Sequence, residues 1–540
     1  AYYQLINNNV LNKEHFTAED AGNAEKQIGS LFQENKEAVL SQVEAVLMQD
    51  SGGELSALPQ EMQGYMVYIY DYLLGKEGGI VNPEDSRFKA SQALASWKSD
   101  SISLHDFIKK GIEEGWIDTT KLDLSEEYSD STQIYQLFVN KIMSFLREDS
   151  GFEKLLYKYA IANQKIRGNL LLMALFEQNV LPQDAASYDA LAQGDSHFAY
   201  TFLIDKIRKL QLTPAQFALD PCNGSVVVTD VKTGKVRALV SYPGFDNNRI
   251  NDAAYLKKCN EDLSLPLLNG ATQTQLAPGS SFKPISSIAS LEEKVLDLST
   301  VIDCTGKYEE VTPNIRCWIW PSHHGNETLV DGIKNSCNYF FADLGHRLAT
   351  DAEGNYNAEL GMERIRKYAS DFGLNEKSGI ELDEAEPRIS DYDPERSAMG
   401  QGNHAFNTAQ LAKYITAVAN GGNLYNLSIV DKIADPKGKT VEEVGASLLR
   451  HLDYADSTWN AVHEGLRKVI TEGVAKNVFL GQNITVAGKT GTAQEREDRG
   501  NHAVFVSYAP YEDPQISVTV NIPYGYSSGN AASLANMVYD

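Results

Sequence analysis

Through the first two-fifths of the chain, apolar residues recur at helical spacing. Ile28, Phe32, Val39, Val43 and Val46 stand three, four and seven residues apart, among Glu-, Gln-, Lys- and Ala-rich positions. The pattern predicts a mostly helical, non-catalytic, pedestal-like module over residues 1–217. Tyr65 to Tyr72 reads YMVYIYDY. Such a stripe either faces a partner or is buried against neighbouring helices, and burial is the expectation here. The acidic run Asp123 to Glu127 reads as solvated surface.

Near Leu219 the texture changes from helical to β-rich. Ser225 to Asp230 and Val236 to Tyr242 are β-rich runs joined by Lys232-Thr233-Gly234, a hairpin signal. A helix is predicted from Ser280 toward Val295, short helices over Thr328 to Lys334 and Tyr339 to Leu348, and helices with loops from about Gly361 to Gly422. Ile484 to Ala487 reads as a strand, Ala503 to Tyr508 and Ile516 to Ile522 as two more, and Ala531 to Val538 as a final helix. Strands at both ends of a segment with helices between them predict an α+β domain over residues 218–540. One antiparallel sheet is then assembled from the two ends.

Composition narrows the picture. With 42% hydrophobic residues in 540, the chain has the make-up of a globular protein, and its net charge of −25 argues against nucleic acid as a partner. No apolar run reaches the roughly 18 residues of a membrane span, and no signal peptide is visible. The chain begins at Ala1 without Met, as expected of a mature or trimmed fragment whose anchor lay upstream. Five cysteines, an odd number, cannot form a complete disulfide framework.

Three short motifs carry chemistry. Ala277 to Pro284 reads APGSSFKP and puts Ser280 and Lys283 three residues apart, on one face of a helix start. A serine needs a base to become a nucleophile, and an amine serves if burial or charge lowers its pKa. Ser336-x-Asn338 breaks two helices; it offers a hydroxyl to relay a proton and an amide to hold a peptide group, though an N-cap would look the same. Lys489-Thr490-Gly491-Thr492, at the end of the predicted strand, supplies a cation and two hydroxyls for a carboxylate. Its glycine allows close backbone approach, and an edge N–H could complete an oxyanion hole. Each motif alone is ordinary; the ordered triplet S-x-x-K, S-x-N, K-T-G is specific. Gly400-x-Gly402-x-x-Ala405 fits a loose dinucleotide fingerprint but follows no strand and is rejected. His404 has no visible partner and reads as a surface or satisfied histidine.

With the stretches Gly224 to Asn248, Met399 to Gly422 and His502 to Pro514, the triplet makes the region from about Leu219 to Asp540 resemble the transpeptidase domain of a class B penicillin-binding protein. The resemblance implies the penicillin-binding transpeptidase fold, a central antiparallel sheet flanked by helices with a helical subdomain. It implies a serine-type D-Ala-D-Ala transpeptidase that cross-links peptidoglycan stem peptides through a Ser280 acyl-enzyme and is inhibited by β-lactams. Lys283 would be the base and Ser336 the proton relay. Asn338 would orient the substrate amide, Lys489 would set the local potential, and Thr490 and Thr492, flanking Gly491, would hold the terminal carboxylate. The N–H groups of Ser280 and Thr492 would form the oxyanion hole. Implied partners are stem peptides, β-lactams, a membrane glycosyltransferase and elongation or division proteins. The implied place is the bacterial cell membrane, with the catalytic domain extracytoplasmic. A D,D-carboxypeptidase or β-lactamase of the same superfamily, or a non-enzymatic β-lactam sensor, are the alternatives. The family's R-G-x-I-like strand motif is not found in the N-terminal part.

No cofactor is implied for the chemistry. Cys304, Cys317, His324 and Cys337 nevertheless lie close together in sequence, and Cys₃His is a common closed zinc set. Some elongation-type relatives carry zinc beside the active site, with the middle residue of S-x-N, here Cys337, as a ligand. A structural zinc, a Cys304–Cys317 disulfide and free thiols stand as alternatives, and Asp303 or His323 could replace one ligand.

Overall fold

The helical periodicity of the N-terminal part becomes helices in the structure, a computed structural model that describes residues 2–49, 54–75, 79–122, 131–496 and 499–540. The acidic run Asp123 to Glu127 lies outside the described residues. The chain divides into two units, Ala1–Ala218 and Leu219–Asp540.

In the first unit the long helix Asn23–Met48 buries Ile28, Phe32, Val39 and Val43, and the Phe32 ring stacks on Tyr157 with centroids 3.8 Å apart. Gly22 stands at its N-cap without a side chain to offer. The first-turn N–H groups of Ala24 and Glu25 instead donate to the Glu177 carboxylate, each at 3.0 Å. The Tyr65 to Tyr72 stretch lies in the helix Gln60–Leu74, where Tyr65, Met66 and Ile69 are buried and Tyr72 stacks on Phe145 at 3.6 Å. It is a packed helix, as expected.

The second unit is built on five strands: β1 (Gly224–Asp230), β2 (Val236–Tyr242), β3 (Ala487–Ala493), β4 (His502–Ala509) and β5 (Ile516–Ile522). They run antiparallel in the order β3-β4-β5-β1-β2, so the two chain ends do form one sheet. Alternation sorts its faces. Ser225, Thr229 and Ser517 point to one side, where Thr408 and Thr416 of the helix Thr408–Ala419 meet them in hydroxyl bonds of 2.6 to 3.0 Å. Ser507, paired with Val518, points to the other and meets Tyr539 of the last helix, Ser528–Tyr539, at 2.9 Å. Both faces are therefore covered, and β3 is left as an edge.

Two elements differ from their sequence readings. The Lys489-Thr490-Gly491-Thr492 motif sits inside β3, not at a strand end, with Lys489 opposite Val506 and Thr492 opposite Ala503. The β-branched residues just upstream lie outside the strand, because pairing with β4 decides it. The segment opened by Ser280 starts as a 3-10 turn, Gly279–Phe282, before the α-helix Lys283–Glu292, here α1, buried along almost its whole length. Two further small strand pairs, Asn423–Asn426 with Ser447–His451 and Lys432–Ala434 with Thr440–Glu443, bury only Leu424 and carry no alternation that the sequence could betray.

Candidate active site and a neighbouring cysteine–histidine cluster

Three pieces of chain meet at one cavity of about 590 Å³. Ser280 comes from the 3-10 turn, Ser336 and Asn338 from the break between helix α2 (Leu329–Lys334) and helix α3 (Asn338–Leu348), and Thr490 and Thr492 from edge strand β3; all five line its wall. Lys283, Lys489 and Gly491 lie behind that wall as buried residues. The structure thus brings together residues as far apart in the chain as Ser280 and Thr492.

Close backbone approach assembles the cavity. Gly279 turns with φ +54°, and a Cβ there would stand 2.5 Å from the Thr492 carbonyl oxygen. Gly491 lies too close to the Pro278 carbonyl for any Cβ. Glycine at both places lets the nucleophile turn lie directly against β3. The Gly279 N–H also donates to Gly400 O at 3.0 Å, and Gln401 Nε2 donates to Thr492 O at 3.3 Å. The loop Gly400-Gln401-Gly402 therefore serves packing, since it pins both walls. Behind it, His404 is buried with both ring nitrogens engaged, Nδ1 accepting from the Ser390 N–H at 3.0 Å and Nε2 facing Ser397 O at 3.2 Å. Its ring packs on Phe282, and burial lowers its pKa to about 4. It is a satisfied, neutral histidine of the interior.

The two lysines are fully buried. Lys283 Nζ donates to Ser336 O at 2.8 Å and to Asn338 Oδ1 at 2.9 Å, lies 3.4 Å from Ser336 Oγ, and sits over the Phe341 ring at 5.0 Å. Lys489 Nζ donates to Ser336 Oγ at 2.8 Å and to Thr490 O at 3.1 Å. Burial lowers Lys283 to about 8, against the opposing pull of Cys337, Cys317 and Glu327. Burial also carries Lys489 well below the usual lysine range, helped by repulsion from Lys283. Two amines on one hydroxyl titrate as a pair, and one proton between them is the cheap state. Ser336 itself stands at φ +53°, a left-handed conformation unusual for a non-glycine residue.

Behind the Ser336 turn the thiols of Cys304, Cys317 and Cys337 and the ring of His324 lie within 4.8 Å of one another. Cys317 Sγ is 3.8 Å from Cys337 Sγ and 3.5 Å from His324 Nδ1, and Cys304 Sγ is 3.8 Å from His324 Nδ1. All five cysteines are free, so Cys304 and Cys317 are not joined. Hydrogen bonding from Cys337 holds Cys317 down to about 3 and Cys304 to about 6, while Cys337, as donor to both, is pushed up. Facing the Cys317 and Cys304 thiols, His324 is raised to about 9. Three thiols and an imidazole that close on one another form a donor set that can hold a tetrahedral cation once their protons are lost. Neither Asp303 nor His323 is part of it.

Gln401, Trp318 and Met399 also line the cavity. Nothing in their spacing marks them; only the likeness of Met399 to Gly422 to a known stretch could have pointed to two of them.

The chain is similar to several known proteins. Stage V sporulation protein D of Bacillus subtilis is 29% identical over 356 residues, covering 63% of this chain and 52% of that protein. Peptidoglycan D,D-transpeptidase MrdA of Haemophilus influenzae is 30% identical over 367 residues, covering 60% and 53%. The chain thus spans about half the length of the curated relatives it matches. The crystal structure of Pseudomonas aeruginosa PBP2 in complex with WCK 5153 superposes with a TM-score of 0.52 at 27% identity, covering 59% of this chain and 70% of that one. The family described as penicillin binding protein transpeptidase domain matches residues 224–540, and the chain belongs to that family.

Proposed function

We propose that this chain is a peptidoglycan D,D-transpeptidase acting through an acyl-enzyme on Ser280. The observation that carries the reading is the meeting of Ser280, Ser336 and Asn338 on one cavity wall, with buried Lys283 donating to Ser336 O and Asn338 Oδ1. In this reading Ser280 Oγ attacks the D-Ala-D-Ala amide carbon of a stem peptide. Its proton passes to the lone pair of neutral Lys283, whose two N–H donors remain on Ser336 O and Asn338 Oδ1. The N–H groups of Ser280 and Thr492 receive the oxyanion. Ser336, between the two amines, returns the proton to the leaving D-Ala nitrogen, and an acceptor amine from a second stem peptide then takes the acyl group. Asn338 holds the substrate amide; Thr490 and Thr492, beside Lys489, hold its terminal carboxylate.

Among the described residues, no Asp or Glu lines the cavity. Among the described lining residues a deacylating water finds no carboxylate base, which favours transfer to an amine over hydrolysis and a long-lived ester with a β-lactam. The natural partners of this chemistry are stem peptides and the enzyme that polymerises the glycan strands bearing them, which places the site outside the cytoplasm. No described helix is long and apolar enough to cross a membrane. The first unit would serve as a non-catalytic pedestal.

We assign zinc to the cysteine–histidine cluster. Tetrahedral Zn–S bonds of about 2.3 Å imply S–S edges of about 3.8 Å, and the Cys317–Cys337 separation is 3.8 Å. Cys304, Cys317, His324 and Cys337 would close the shell. The ion would be structural, holding Cys337 and with it the break that bears Ser336.

The test is a stem pentapeptide ending in D-Ala-D-Ala, offered with a D-amino acid acceptor and followed by mass spectrometry. The expected product carries the acceptor in place of the last D-Ala, and Ser280→Ala makes none. A shortened tetrapeptide as the only product would replace the transpeptidase with a carboxypeptidase.

A further inference from the structure

Ser336 holds a strained turn, and its neighbours explain how. Asn335, the residue before it, is gripped from two sides. Its backbone carbonyl accepts from the Trp318 indole N–H at 2.9 Å. Its side-chain amide donates to Glu327 Oε1 at 2.7 Å. Trp318 and Glu327 both come from the loop region that carries Cys317 and His324, and Glu327 closes the short strand Gly325–Glu327, paired with Ile302.

Glu327 is an odd residue for its place. It is 2% exposed, and its second oxygen, Oε2, is buried without a partner. A buried carboxylate with an unmet oxygen is costly, and a side chain wanted only for filling would be apolar. The charge does not assist Lys283 either: burial lowers that amine's pKa, and Glu327 pulls it the other way. Among the described residues its one hydrogen bond is the bond to Asn335.

We infer that Glu327 is a positioning residue for acyl transfer. Through Asn335 it holds the left-handed turn that sets Ser336 Oγ between Lys283 and Lys489. Without the bond, the turn keeps its own closing bonds, Ser336 N–H to Ile333 O at 3.1 Å and Cys337 N–H to Gly332 O at 3.0 Å, but Asn335 is held from one side only, by Trp318, and the turn is free to shift against the two amines. The Ser336 carbonyl and hydroxyl then leave the two amines, and the proton path loses its middle station. This inference rests on the transpeptidase reading.

The experiment compares wild type, Glu327→Ala, Glu327→Gln and Asn335→Ala with a fluorescent penicillin. The concentration dependence of the rate resolves non-covalent binding and the acylation step that follows it. Melting is followed in parallel. A displacement on the order of 1 Å at a reacting group costs up to about a hundredfold. Glu327→Ala is therefore expected to acylate roughly ten- to a hundredfold more slowly, with non-covalent binding within about twofold of wild type. Glu327→Gln keeps an acceptor for Asn335 and is expected within about threefold of wild type. Asn335→Ala removes the same bond from its other end, should match Glu327→Ala, and decides the matter if that variant does not fold. Wild-type acylation rates in Glu327→Ala or Asn335→Ala would overturn the inference, as would a Glu327→Gln rate as low as that of the alanine variant. Failure of the wild type itself to acylate would instead strike the transpeptidase reading.

Discussion

Replacing Gly279 by alanine tests whether the nucleophile turn and strand β3 are pressed together as described. The residue sits at φ +54°, where an alanine costs about 1 kcal/mol. Its new Cβ would stand 2.5 Å from Thr492 O and 2.8 Å from Thr492 C, both backbone atoms that no rotamer change can move. Ordinary contact begins at 3.4 Å, so turn and strand must part by about 0.9 Å. Overpacking of this kind adds about 1–3 kcal/mol, for a total of about 2–4 kcal/mol. The gap opens between the Ser280 and Thr492 N–H groups, where the oxyanion would sit, so acylation should fall by about a hundredfold. A stopped-flow or gel assay with a fluorescent penicillin reads the rate, and a thermal melt reads the strain as a fall of several degrees. An alanine variant that acylates within twofold of wild type and melts at the same temperature would refute the close approach, and with it the oxyanion geometry.

Two other expectations follow from the buried charges. Only neutral Lys283 accepts a proton, and burial sets its pKa near 8, so the acylation rate should rise about tenfold per pH unit below about 8 and level off above it; a flat profile from pH 6 to 9 would remove Lys283 as the base. The same lowering makes the unfolded chain bind more protons between about 8 and its ordinary 10.5, so these lysines make stability rise with pH across that window. For the cysteine–histidine cluster, the purified chain should carry one zinc, and Cys304→Ser, distant in sequence from the catalytic motifs, should lose it, melt several degrees lower and acylate more slowly. A metal-free wild type with the same rate, or full activity after chelation, would contradict the assignment.

The sequence made local chemistry and strand pairing legible, and left convergence hidden. Short Val-rich runs in β1, β2, β4 and β5 mark strands directly, and helical spacing around Phe32 marks its helix. The S-x-x-K, S-x-N and K-T-G motifs could be named because each is short, and their shared function followed only from their order and the family likeness. What stayed hidden depends on residues far apart in the chain. Lys489 meets Ser336 across 153 positions, and no local pattern states it. The K-T-G residues lack β-branched alternation, so their strand is visible only once β4 pairs with it. The φ of Ser336 and the tie between Glu327 and Asn335 are tertiary facts; a buried Glu in a polar loop reads as one more surface carboxylate.

The measurement that bears most directly on the central claim is intact mass of the chain with benzylpenicillin, followed over time beside Ser280→Ala. A one-to-one adduct that persists on wild type, maps to the peptide bearing Ser280, and is absent from the variant is the predicted result. An adduct that decays while the drug is consumed would make this a β-lactamase, and a folded wild type that takes up no penicillin would contradict the serine–lysine mechanism itself.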